Sequence, residues 1–136
     1  MTLTDQLIRH EGLMLKPYRD SMGILTIGVG RNLDDVGITR DEAIMMLNHD
    51  IDNARADLAR VFPWTQNLDP VRLDALTNMC FNLGIGRLRG FARMLLALQA
   101  GDWTEAAQQA LDSKWAVQVG NRSHELAQQF ITGKYA

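Results

Sequence analysis

The chain has 136 residues, with 46% apolar and 22% charged side chains. That suits one domain able to bury a core without staples, and the single cysteine, Cys80, excludes an internal disulfide framework. Fourteen Lys and Arg against sixteen Asp and Glu give a net charge of −2, which argues against a general nucleic-acid binder. No apolar run approaches a membrane span, and the first residues lack the pattern of a signal peptide. Composition thus predicts a soluble single domain made inside a cell. The charge is uneven: residues 1–62 carry a net −3 and residues 63–136 a net +1.

In chain order, the spacing first predicts a short helix from Leu3 to Glu11. Thr2 and Asp5 form a capping-box pair, and Gly12 is a stop. Leu3, Leu7 and Ile8 make its apolar stripe, and Glu11 falls within that stripe. From Leu13 to Gly30, glycines and β-branched residues predict a small hairpin turning at Asp20-Ser21-Met22-Gly23. Arg31 to Gly37 reads as polar loop. Thr39 with Glu42 caps a long helix over residues 40–61, with an apolar seam at Ile44, Leu47, Ile51, Ala54, Leu58 and Val61. Asp69-Pro70 opens a core helix that runs to Leu83, where Gly84 and Gly86 end it. Further helices follow around Phe91–Leu98, from Asp102 to Leu111, and from about Arg122 to Ile131. The sum is an α+β, mainly helical chain: a small β-containing lobe, a long connecting helix and a larger helical lobe.

Glu11 and Asp20 are the candidate catalytic pair. A Glu on an apolar face loses hydration and is driven toward its protonated form, whereas an Asp at a turn is kept ionised by amides and water. One protonated and one ionised carboxyl is the pairing used in glycoside hydrolysis. Thr26, on the second strand, could bind a water or a substrate hydroxyl, or serve only as a strand residue. Gly28 and Gly30 lack the third glycine of a dinucleotide fingerprint and fit tight hairpin packing instead. His10, His49, His124 and Cys80 have no zinc-ligand spacing, and Cys80 reads as an inert core thiol. Trp64, Trp103 and Trp115 read as buried aromatics at helix starts or as sugar-stacking platforms. Arg87, Arg89 and Arg93 form a dense basic patch, either a solvated face or a contact for an anionic polymer.

The segments Glu11-Gly12-Leu13, Tyr18-Arg19-Asp20, Gly23 and Thr26-Ile27-Gly28-Val29-Gly30 resemble the active-site hairpin of the T4-type phage lysozymes. The spacing Glu-x8-Asp-x5-Thr matches that family's catalytic signature. The likeness extends through Thr39–Asp52, Asn78–Phe91, Trp103–Ala107, Ser113–Trp115, Asn121-Arg122 and Phe130–Gly133, so it covers nearly the whole chain.

The resemblance implies a two-lobed lysozyme-like fold forming one catalytic domain. Residues 12–39 would be the small lobe, 40–61 the interlobe helix, and 62–136 with 1–11 the helical lobe. It implies a muramidase that cuts the β-1,4 bond between N-acetylmuramic acid and N-acetylglucosamine. Glu11 would protonate the leaving oxygen, while Asp20 and Thr26 position a water for inverting attack. It also implies an Arg122 partner for Glu11, sugar contacts from Asn32, Phe81, Met94 and Gln109, and an Arg31–Asp50 bridge. No metal or organic cofactor is implied. Peptidoglycan would be the substrate, and the protein a monomer without nucleic-acid partner or stable membrane anchor. As a phage endolysin it would collect in the host cytoplasm and need a separate holin to reach the wall. A lytic transglycosylase and a non-catalytic wall-binding module are the alternatives; the retained Asp20 and Thr26 weigh against both.

Overall fold

The computed structural model describes all residues, 1–136. It is mainly helical, 66%, with one small antiparallel sheet, an α+β lysozyme-like fold. The chain divides into two compact units, Met1–Met46 and Leu47–Ala136.

The first unit begins with helix α1, Leu3–Glu11. The Thr2 hydroxyl accepts the Asp5 N–H, and the Asp5 carboxylate accepts the Thr2 N–H, so the predicted capping box forms. Gly12, at φ 80°, closes the helix through its N–H to the Ile8 carbonyl. The apolar stripe, however, stays open: no residue of α1 is buried, and Glu11 is itself exposed. The carboxyl burial expected from that stripe is therefore not found.

Three strands follow in the order β1-β2-β3. Strand β1, Met14–Arg19, pairs antiparallel with β2, Leu25–Gly28, with an irregularity between Met14 and Tyr18. Strand β3 is only Arg31–Asn32, opposite Ile27 and Thr26, where the sequence reads as loop. Two residues carry no period-2 pattern, so pairing with β2 alone makes this strand.

Helix α2, Arg40–Val61, starts on the predicted Thr39–Glu42 capping box, and the boundary between the units falls inside it. Its seam is buried at Ala54 and Leu58, while Ile44 and Leu47 remain exposed.

The second unit is helical. A 3-10 turn, Pro63–Asn67, leads to α3, Pro70–Leu83, whose Asp69 cap accepts the Arg72 N–H as the Asp-Pro pair predicts. Gly84 ends α3, but Gly86 does not act as a stop: it lies within the one-turn helix α4, Ile85–Leu88. Helices α5, Ala92–Ala100, and α6, Trp103–Leu111, form a tight pair capped at its turn by Gly101 and Asp102. The short α7, Lys114–Val119, escapes the sequence pattern because six residues show no period; Ser113 caps it. Helix α8, Asn121–Thr132, completes the unit by packing on α6, α3 and α7.

The core gathers Leu76, Met79, Leu88, Met94, Leu98 and Phe130, each at most 1% exposed. Truncating a ring such as Phe130 to alanine costs about 3–5 kcal/mol, because lost burial and a residual cavity add. Cys80 belongs to this core, and burial is the main force pushing its thiol pKa up. No helix is long and apolar enough to cross a membrane.

Candidate active site

Glu11 is the last residue of α1, so its position depends on where the helix stops. Gly12 sets that stop with a positive φ that other residues adopt at a cost. The Glu11 carboxyl then lies against the backbone of Gly30. A Cβ at position 30 would sit 2.9 Å from Glu11 Oε2 and 3.1 Å from its carboxyl carbon. Gly30 is itself at φ 68°. Its lack of a side chain therefore serves both the local backbone and the room for the acid. The sequence marks this glycine as hairpin packing; its contact with Glu11 emerges only in three dimensions.

Asp20 lies at the other end of the hairpin, where β1 turns into β2. Its Oδ1 accepts the N–H groups of Met22, at 2.8 Å, and Ile24, at 2.9 Å. The backbone closes the same turn, with Asp20 N–H donating to Ile24 O and Gly23 N–H to Asp20 O. One carboxylate oxygen thus folds the turn, and Oδ2 takes neither of these bonds. The side chain is fixed by these backbone amides.

Thr26 stands on β2, opposite Tyr18 and Asn32, and is 4% exposed. Its hydroxyl donates to Ile24 O at 2.8 Å. With its hydrogen committed, Oγ1 presents lone pairs and acts as an acceptor toward any further partner.

Arg31 shows how the first unit is braced. Its guanidinium grips Glu42 through two bonds, Nη1 to Oε1 at 2.8 Å and Nη2 to Oε2 at 3.0 Å, and Nη1 also reaches Gly37 O. Within the first unit the carboxylate partner of Arg31 is Glu42, whereas the expected partner Asp50 belongs to the second unit. The reason is local: the Thr39 capping box already holds Glu42 Oε1 at the start of α2. Arg31 and the Thr39 N–H lower the Glu42 pKa to about 2.

Asn32 is also committed. Its Oδ1 accepts the Asp35 N–H and its amide donates to the Asp35 carboxylate. It staples the loop after β3. Asp34 helps by accepting the Leu25 N–H at the edge of β2.

In the second unit the expected contact residues separate. Met94 is 1% exposed and belongs to the core, and it also lines the concavity on which Gln109 lies. Gln109 donates to Glu105 and lines a concavity of about 550 Å³ with Phe91, Trp115, Arg87 and Arg93. Phe81 is 43% exposed and lines a different concavity, of about 350 Å³, with Asn78 and Arg122. The Arg122 guanidinium donates twice to Asn78 Oδ1, at 2.9 and 2.7 Å. Asn78 is thus its partner within this unit, a pairing of α3 with α8 that sequence spacing does not mark. Trp115 is buried and donates its indole N–H to Asn82, while Trp64 and Trp103 stay half-exposed.

Along the first unit, then, one helix end and one hairpin carry two carboxyls and a hydroxyl, placed by glycines, backbone amides and a backbone carbonyl. This is the side-chain equipment of a carboxylate-dependent hydrolase. Comparison with known proteins makes the assignment specific. The phage lysozyme family model matches residues 8–129. The pre-baseplate central spike protein Gp5 of Enterobacteria phage T4 is 30% identical over 98% of the chain, which spans 28% of that longer protein. Probable T4-type lysozyme 1 of Dictyostelium discoideum is 27% identical, with 97% of the chain and 95% of that protein covered. The SAR-endolysin of Escherichia phage Mu is 30% identical, covering 89% of the chain and 74% of its own length.

The chain belongs to the phage lysozyme family. It is a lysozyme, a glycoside hydrolase whose substrate class is peptidoglycan.

Proposed function

We propose that the chain is a muramidase that hydrolyses the β-1,4 bond between N-acetylmuramic acid and N-acetylglucosamine with inversion, the whole chain acting as one catalytic domain. The division of labour on the hairpin supports this. Asp20 spends Oδ1 on the turn and keeps Oδ2 for a reactant, while Thr26 spends its hydrogen on Ile24 O and keeps its lone pairs. Both groups are acceptors. A water that donates one hydrogen to each aims its own lone pair away from them, toward an anomeric carbon.

Glu11 supplies the opposite function. Its carboxylic acid gives its proton to the leaving O4 as the C1–O4 bond breaks. The water oxygen bonds C1 from the other face, and its proton passes to Asp20. Net uptake is one water, and solvent exchange returns the proton from Asp20 to Glu11. Acid–base assistance of this kind contributes about 10²–10⁴-fold per group.

In the same proposal the protein is a phage endolysin, active as a monomer on the host wall. It is made in the host cytoplasm and admitted to the wall by a separate holin.

The test is digestion of purified peptidoglycan by the parent protein and by Glu11→Gln, with products read by mass spectrometry and the new reducing-end anomer by NMR. Inverting hydrolysis yields reducing muramic ends in the α form from the parent and at least a hundredfold less from the variant. Equal digestion by both proteins would overturn the role of Glu11. Anhydro-muramic ends would assign a lytic transglycosylase, and no cleavage by either a wall-binding module.

A further inference from the structure

Two of the three tryptophans have no part in the chemistry above, and they share one concavity. Trp64 and Trp103 line a space of about 560 Å³ in the second unit, together with Leu68, Leu98, Asn67, Asp69 and Gln99. It lies where α5 ends and α6 begins. The concavity with Gln109 and Phe91 lies at the other end of the same helix pair, so the two are distinct.

The rings are held before any ligand arrives. The Arg72 guanidinium covers one face of Trp103, 4.0 Å from its centroid. Arg72 is itself pinned by the carbonyls of Phe130 and Ile131 and by Asp69. Trp64 leans on Phe62 with ring centroids 6.3 Å apart. Both indoles keep part of their surface exposed, and so do the side chains of Asn67 and Gln99. The volume falls within the range of about 300–1,000 Å³ typical of small-ligand sites.

The lining chemistry selects the occupant. Indole faces take up the apolar C–H faces of pyranose rings, and side-chain amides exchange hydrogen bonds with hydroxyl and acetamido groups. The one charged lining side chain, Asp69, is neutralised by Arg72 at 3.0 Å, so the site offers no net charge to an ionic ligand.

We propose that this concavity is a saccharide-binding subsite for the neutral N-acetylamino sugars of a glycan strand, separate from the cutting site. The strand's identity as peptidoglycan rests on the function proposed above. A second grip of this kind raises the effective concentration of polymer at the enzyme without adding to the chemical step.

The probe is tri-N-acetylchitotriose, titrated into ¹⁵N-labelled Glu11→Gln protein, in which hydrolysis plays no part. The three indole N–H peaks are assigned with single Trp→Phe variants. The peaks of Trp64 and Trp103 shift saturably. The double variant Asn67→Ala/Gln99→Ala binds about tenfold more weakly, as expected for the loss of two neutral hydrogen bonds. Its sedimentation with insoluble peptidoglycan falls in parallel. The Trp115 peak, tied to Asn82, reports that the variant is folded. Peaks of Trp64 and Trp103 that stay still while the Trp115 peak moves would overturn the subsite, as would unchanged binding by the double variant. Lysis by the parent protein is a separate readout, so failure of the muramidase proposal leaves this binding result interpretable.

Discussion

The contact between Glu11 and Gly30 invites a matched pair of substitutions. Gly28 and Gly30 have nearly the same backbone, φ 69° and φ 68°. Alanine at either position adopts a left-handed conformation that costs about 1–2 kcal/mol, partly offset by a gain of about 0.4–1 kcal/mol from a stiffer unfolded chain. Their surroundings differ completely. A Cβ on residue 28 meets nothing within 4 Å, whereas on residue 30 it lies 2.9, 3.1 and 3.2 Å from Oε2, Cδ and Cγ of Glu11. Ordinary carbon contacts are about 3.5–4.0 Å, so the Glu11 side chain must retreat by roughly 0.5–1 Å. Because it is an exposed and flexible side chain, this movement adds little to the loss of stability. Its effect on catalysis is larger, since a misplacement of about 1 Å can cost about a hundredfold in rate. Gly28→Ala and Gly30→Ala should therefore melt within a few degrees of each other by circular dichroism. In a turbidity assay on cell walls, Gly30→Ala should lose about a hundredfold in activity and Gly28→Ala less than about threefold. Equal activities would show that the seat of Glu11 against Gly30 has no bearing on catalysis.

Three further outcomes follow from the same geometry. Asp20→Asn keeps the Oδ1 acceptor and the turn, so its stability should stay within about 1 kcal/mol of the parent. Asp20→Ala gives up two backbone bonds and should lose about 1–3 kcal/mol in urea unfolding; both should cut lysis at least about a hundredfold, and full activity of Asp20→Asn would remove the need for a charge. Glu42 has its pKa depressed from 4.5 to about 2, so the stabilisation from its ion pair is complete above about pH 4.5 and fades as the pH falls toward 2. Glu42→Gln retains an acceptor for the Thr39 N–H, and its small deficit in melting temperature at neutral pH should vanish across that window; a deficit that persists at pH 2 would assign the effect to something other than charge. Cys80 is buried with its thiol pKa raised by burial and by the charge of Asp57, so its reaction with a thiol reagent at pH 8 should be at least about a hundredfold slower in native protein than in denaturant. Equal rates would place the thiol at the surface.

The sequence by itself determined what is short in range. The caps at Thr2, Thr39, Asp69 and Asp102 form where their spacing puts them, because a cap joins residues only three apart. The turn at Asp20 and the family signature of Glu11, Asp20 and Thr26 were legible for the same reason. Tertiary structure decided everything that turns on which distant groups meet. Arg31 has several acids near it in the chain, and only folding selects Glu42, already anchored by its cap. Met94 and Gln109 come to line one concavity only once α5 and α6 pack together. Asn32 is drawn into its own loop by Asp35. Gly30 reads as a hairpin glycine, and its contact with Glu11 appears once α1 ends beside the hairpin. The Trp64–Trp103 concavity joins residues 39 positions apart that no local pattern links. Periodicity and capping act over one or two turns of chain, whereas the neighbours of a side chain are set by how whole elements pack.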